Sequence, residues 1–196
     1  MTQLGEQLHV DDALIVVDMQ NDFLPGGALG VAGGDAIVPI VNKLVRQFSA
    51  HRLPLFFSRD WHPPNHCSFR AQGGPWPPHC VAETKGAQFA EGLQIPAHAH
   101  IVSKAQEPHR DAYSAFQDTD LEKLLRSSHV RRVFICGLAT DYCVRATAEA
   151  ALHARFAVVV ITDAVRAVDL HVGDGTAALH ALVMLGARLC ESQQVH

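Results

Sequence analysis

Residues 132–161 read RVFICGLATDYCVRATAEAALHARFAVVVI. After Arg132, the apolar run through Cys136 has the length and composition of a buried strand, and residues 157–161 (AVVVI) form another. Between them, residues 141–154 suit a helix that starts after a Gly137-containing turn. Strand, helix and strand in succession form the unit from which parallel sheets are built. The same alternation extends outward in both directions. Toward the N-terminus, residues 100–103, 54–58 (PLFFS) and 13–17 (ALIVV) read as strands. Asp35 is placed to cap a helix running to about His51, with Ile37, Ile40, Val41, Leu44, Val45 and Phe48 on one face. Asp118 or Asp120 starts another helix ending near Ser128. Toward the C-terminus, a helix from about Gly173 to Leu185 precedes a short strand at residues 188–190. The expectation is one α/β domain over residues 1–196, with three α/β/α layers and a six-stranded, mainly parallel sheet.

Residues 59–99 break the pattern. They are rich in Pro, Gly and His and have little periodicity, and a structureless stretch of that length in a compact domain usually carries function. In open parallel sheets, ligands bind beyond the carboxyl ends of the strands, where the strand order reverses. Asp18 follows the first strand, Asp60 and His62 the second, Lys104 the third, and Cys143 follows the fourth at a helix start. Strand placement alone therefore gathers these residues at one edge.

Composition removes other classes. The chain has 196 residues, a formal net charge of -4, 48% hydrophobic and 18% charged residues. That mild charge, without a basic run, gives no reason to expect nucleic acid as a partner. No stretch approaches the roughly 20 apolar residues of a membrane span. Residues 1–12 are polar and lack the regions of a secretory signal, so a cytoplasmic location is the default expectation. The five cysteines, odd in number and scattered, do not form a disulfide framework.

Two constellations carry chemistry. Asp18, Lys104 and Cys143 suit nucleophilic catalysis. A cysteine near a helix N-terminus has its thiolate favoured, and a lysine nearby would lower its pKa further. A carboxylate within reach would take the thiol proton and return it to a leaving amine. Taken singly, an Asp at a strand end is more often a turn former, and a Cys in an apolar helix is usually core. The second constellation is Asp60-Trp61-His62, with His66 and His79 downstream. Carboxylate oxygen and imidazole nitrogen suit zinc, iron or manganese. A loop with surface histidines is the bland alternative, and His9, His51, His129, His153, His171, His180 and His196 are read that way. Cys136 and Cys190 read as small core residues.

These segments carry a family resemblance. Val17-Asp18-Met19-Gln20-Asn21-Asp22-Phe23 with Pro25-Gly26-Gly27 resembles the opening motif of the nicotinamidases among the isochorismatase-like cysteine hydrolases. Arg59-Asp60-Trp61-His62-Pro63 with Asn65-His66-Cys67-Ser68-Phe69 is similar to their metal motif, and Trp76-Pro77-Pro78-His79-Cys80-Val81 to the segment supplying another histidine. Lys104 with Asp111-Ala112-Tyr113-Ser114-Ala115-Phe116 resembles their lysine segment, and residues 137–144 resemble their nucleophile turn. The motifs occur in family order over about residues 13–165.

The resemblance implies the isochorismatase-like fold and a substrate, nicotinamide, cleaved to nicotinate and ammonia. Pyrazinamide would be cleaved as well. It implies that Cys143 forms a thioester, that Asp18 is general base and acid, and that Lys104 supports the thiolate. It also implies a cis peptide at Leu138-Ala139 that aims the amides of Ala139 and Cys143 at an oxyanion. Phe23, Trp76, Tyr113 and Ala139 would line the substrate pocket. A single divalent metal, zinc before iron or manganese, would sit on Asp60, His62 and His79, with His66 as a fourth ligand, and would bind the pyridine nitrogen. NAD salvage is the family's usual role. Residues 105–110 (AQEPHR) depart from the expected Gly-rich form, which makes His109 and Arg110 gate residues at the pocket lip. The oligomeric state stays open, a homo-oligomer included. Three rivals remain: an amidase for another small carboxamide, a hydrolase using metal-activated water, and a non-catalytic binding protein on the same fold.

Overall fold

The computed structural model describes residues 5–196; residues 1–4, part of the polar opening stretch, lie outside them. Six strands, β1 (Asp12–Val17), β2 (Leu55–Asp60), β3 (His100–Lys104), β4 (Arg132–Leu138), β5 (Ala157–Arg166) and β6 (Arg188–Cys190), form one sheet. Every pairing is parallel and the order is β3-β2-β1-β4-β5-β6. Strand order therefore reverses between β1 and β4, which are hydrogen-bonded neighbours at the centre. The main helices are α1 (Val38–Ala50), α2 (Leu121–Ser127), α3 (Arg145–His153) and α4 (Asp174–Met184).

Side-chain alternation divides the core into two layers. Leu14 and Val16 of β1 face one side, where Val41, Leu44 and Phe48 of α1 pack with Phe134. Ala13, Ile15 and Val17 face the other, with Leu125 of α2, Ala148 of α3 and Leu182 of α4. All six residues of β1 are buried, which is why the strand reads as an unbroken apolar run.

Several boundaries differ from the sequence reading. Asp35 does not cap α1: a 3-10 turn, Asp35–Ile37, precedes the helix, and the Asp35 side chain makes no cap hydrogen bond. Pro39 sits in the first turn of α1, where its missing N–H costs nothing. At α2, Asp120 holds the cap position, but the amide of Leu121 is taken by Thr119 Oγ1 at 3.2 Å. The fourth strand continues two residues past Cys136 and the fifth extends to Arg166. The segment after β4 is a π-helical turn, Thr140–Val144, that runs into α3.

Residues 61–99 hold one 3-10 turn, Arg70–Gln72, and isolated bridges His62 to Val81 and Phe69 to Trp76. Side chains from the segment after β1 fasten this long loop. Asn21 Nδ2 donates to Lys85 O at 2.8 Å, and the Cys80 amide donates to Asp22 Oδ2 at 2.7 Å. Among the described residues, no helix is long and apolar enough to cross a membrane.

Candidate active site

The carboxyl ends of β1 to β4 deliver the expected residues to one place. Asp18 follows β1, Asp60 and Lys104 end β2 and β3, and Cys143 lies in the π-turn after β4. Lys104 is 1% exposed and stands at the centre. Its ammonium lies 3.0 Å from Asp18 Oδ2, pairs with Asp60, donates to Ala112 O at 3.0 Å, and lies 3.5 Å from Cys143 Sγ. Ser58 donates its hydroxyl proton to Asp18 Oδ1 at 2.6 Å. Asp18 itself has φ +47°, a left-handed conformation that side chains rarely adopt and that clusters at functional sites.

The electrostatics follow from burial among unlike charges. Burial pushes the Asp18 carboxyl above its ordinary range, and the Lys104 ammonium only partly counters this. Burial also opposes ionisation of Asp60, but the Lys104 ammonium holds that carboxyl well below the usual range. Lys104 is likewise opposed by burial, yet Asp18 and Asp60 hold it far above its ordinary value, so the ammonium is permanent. For Cys143, burial pushes the thiol well up, Lys104 pulls it down, and Asp18 and Asp60 push it up again. Burial and the two neighbouring carboxylates thus oppose the thiolate that the helix start favours, while Lys104 supports it.

Asp60, His62 and His79 converge next to this cluster, each offering a ligand atom within 4.8 Å of the others. His62 Nε2 is buried and has no hydrogen-bond partner among the described residues. His62 Nδ1 faces Ala105 O at 3.3 Å and His79 Nδ1 faces Pro77 O at 2.8 Å. A carbonyl can only accept, so both imidazoles carry their proton on Nδ1. In the neutral rings each Nε2 keeps its lone pair, that of His62 lying 3.4 Å from Asp60 Oδ2, the arrangement that orients metal-bound histidines. One carboxylate and two imidazoles suit a divalent transition metal.

A cavity of about 290 Å³ opens over both groups, with Asp60, His79 and Cys143 in its lining. Phe23, Trp76, Tyr113 and Ala139 form its walls. Trp76 Nε1 donates to the Tyr113 hydroxyl at 3.0 Å, and the ring of Tyr142 lies 5.5 Å from Trp76 and 5.8 Å from Tyr113. The Leu138-Ala139 peptide is cis.

The isochorismatase domain model matches residues 12–194. The chain belongs to the isochorismatase family. This isochorismatase-family protein is 38% identical to the nicotinamidase of Escherichia coli (strain K12) over 198 residues, covering 90% of this chain and 93% of that one. It is also similar to the solved pyrazinamidase of Pyrococcus horikoshii in complex with zinc, at 50% identity and a TM-score of 0.89, covering 92% and 99% of the two chains. An L. infantum structure in complex with nicotinate has 39% identity and a TM-score of 0.92, covering 98% and 99%.

Two expectations for this isochorismatase-family site are corrected. His66 does not join the ligand group. Its Nε2 donates to Arg110 O at 2.9 Å, and its Nδ1 takes the hydroxyl of Ser68 at 2.7 Å. The Ser68 amide also points at Nδ1, at 3.3 Å, so both ring nitrogens are engaged. His66 instead packs its ring 4.1 Å from that of His62. Nor do His109 and Arg110 line the cavity. Arg110 is turned outward to Asp118 at 3.1 Å, and residues 28–31 with Val168 and Leu170 complete the lining.

Three residues of the isochorismatase-family site went unread in the sequence: Gln20, Ser58 and Tyr142. Gln20 is fully buried; Oε1 accepts the Asp60 amide at 2.8 Å, and Nε2 donates to Asp60 O at 2.8 Å and Ala87 O at 2.9 Å. Ser58 had a local signal, since it lies two residues before Asp60 and so on the same strand face. Gln20 stands two residues after Asp18, but its partners lie 40 and 67 residues away.

Proposed function

We propose that this chain is a nicotinamidase, hydrolysing nicotinamide to nicotinate and ammonia through a Cys143 thioester, and that it cleaves pyrazinamide as well. The observation that carries this reading is the Lys104 ammonium, which touches Cys143 and pairs with both Asp18 and Asp60 under an aromatic-walled cavity. Nucleophile, base and the carboxylate of the metal-fitting group are thereby held in one unit.

The chain's own groups account for each proton. Asp18, its affinity for a proton raised, takes the Cys143 thiol proton as sulfur attacks the carboxamide carbon. The carbonyl oxygen becomes an oxyanion facing the amides of Ala139 and Cys143. Collapse breaks the carbon–nitrogen bond; Asp18 returns its proton to the departing nitrogen and ammonia leaves, with the acyl group on sulfur. A water then gives a proton to Asp18, adds to the thioester carbon, and expels the sulfur, which regains the proton from Asp18. Lys104 keeps Asp18 ionisable and offsets negative charge at the sulfur. Phe23 and Trp76 bracket the ring. Asp60, His62 and His79 would hold the divalent metal, zinc by preference, which when bound would coordinate the ring nitrogen and so fix the carboxamide over Cys143.

Ammonia release from nicotinamide tests this reading, measured before and after chelation and with Cys143→Ala. Turnover is expected in the metal-loaded protein, reduced by chelation, restored by added metal, and at least about 10³-fold lower in Cys143→Ala. No turnover by the loaded wild type would reject the substrate, and turnover surviving in the variant would reject the nucleophile.

A further inference from the structure

The segment between β5 and α4 gives Val168 and Leu170 to the lining of the cavity. Its apolar tip has little packing of its own: Leu170 is 61% exposed and Val172 fully so. Its start is nevertheless held. One Asp141 oxygen accepts the Val168 amide at 2.9 Å and the other accepts the Asp169 amide at 2.9 Å. Asp169, at φ +51°, then accepts the Gly175 amide at 2.8 Å in the first turn of α4. Hydrogen bonds to a carboxylate are stronger than those between neutral groups, and Asp141 accepts two amides of this segment where Asp169 and Asp174 accept one each, from Gly175 and His171.

Asp141 stands in the π-turn between Ala139 and Cys143, 27 residues before the amide of Val168. The turn has its own supports. The amides of Tyr142 and Val144 donate to Ala139 O at 3.1 and 3.0 Å, and Thr140, Cys143 and Val144 are buried. Removing the Asp141 carboxylate therefore releases the β5–α4 segment more than the nucleophile.

We propose that Asp141 is a positioning residue that fixes the Val168–Leu170 wall against the substrate ring, setting substrate affinity and leaving the rate of bond breaking to Cys143, Asp18 and Lys104. The proposal rests on the nicotinamidase reading for its substrate. It is tested by steady-state kinetics with nicotinamide on wild type, Asp141→Ala, Asp141→Asn, Leu170→Ala and the double variant Asp141→Ala/Leu170→Ala. In Asp141→Ala, KM is expected to rise about tenfold with kcat within about threefold of wild type. Asp141→Asn, which keeps one acceptor oxygen, falls between. The double variant is less than additive, because both changes remove the same wall. A fall in kcat with KM unchanged would overturn the proposal, as would additivity.

Hydrogen exchange supplies an arm free of turnover. The amides of Val168 and Asp169 are expected to exchange at least about tenfold faster in Asp141→Ala, with those of β1 and β4 unchanged. Equal protection would overturn the tie whatever the activity. If Asp141→Ala does not fold, Leu170→Ala alone decides: Leu170 is exposed, and a KM equal to wild type would reject the wall. Wild type inactive on nicotinamide would count against the substrate, while the exchange arm still judges the tie.

Discussion

The residue on which the site turns is Lys104. Its side chain is inaccessible to solvent, yet two carboxylates and a carbonyl neutralise and solvate it within the protein. A buried ion pair adds little over a well-packed apolar substitute, but removing one member leaves the others as uncompensated charge. Lys104→Met keeps most of the volume and leaves Asp18 and Asp60 together without a cation. The expected cost is roughly 3–5 kcal/mol in urea denaturation. A loss under about 1 kcal/mol would mean that the two carboxyls can share a proton in place of Lys104 at little penalty, and would contradict the ion-pair account of this cluster. Burial and the two carboxylates also push the Cys143 thiol up, which is why the proposed mechanism gives its proton to Asp18 at the moment of attack.

At the scale of elements, β4 decides the geometry. It runs beside β1 without a break from Arg132 to Gly137, where the backbone takes φ +112° one residue before the strand ends at Leu138. A Cβ at Gly137 would lie 2.1 Å from Val17 O, on the neighbouring strand. Gly137→Ala therefore both adopts an unfavourable backbone and pushes β4 off β1, and is expected to cost about 3 kcal/mol by thermal or chemical unfolding. A stability within about 0.5 kcal/mol of wild type would show that the two strands separate freely here. The elements themselves were legible in the sequence because buried parallel strands leave unbroken apolar runs such as residues 13–17 and 157–161. Their ends were less so. The fifth strand runs on through Thr162 and Asp163, two polar residues that end the apolar run and lie in a bulge, after which pairing with β4 resumes at Val165. Asp163 is engaged by Ser192, whose amide and hydroxyl both donate to it, at 2.7 and 2.6 Å. The site residues at strand ends could be read from topology. Gln20, Tyr142 and Asp141 could not, since each acts on groups that only the finished fold brings near. His66 shows the converse: motif spacing made it a ligand candidate, and the hydroxyl of Ser68 and the carbonyl of Arg110 gave its nitrogens other work.

Across the whole molecule, the two ends of the sheet have different tasks. At the amino ends, Arg132 spans Asp12, with contacts of 2.6 and 2.7 Å, and Glu6, at 3.0 Å; Glu6 also pairs with Arg188. Those ties close the sheet where no chemistry takes place. At the carboxyl ends, residues from four strands meet in one charged cluster, so the site exists only when the whole sheet is assembled. Lys104 also makes that assembly visible. The other three lysines, Lys43, Lys85 and Lys123, lie exposed, while Lys104 is sealed among its partners. An amine-acylating reagent should mark the three within minutes and reach the fourth only when the sheet opens, so mass spectrometry of the Lys104 peptide would clock global opening; marking of Lys104 at the surface rate would mean the seal breaks locally.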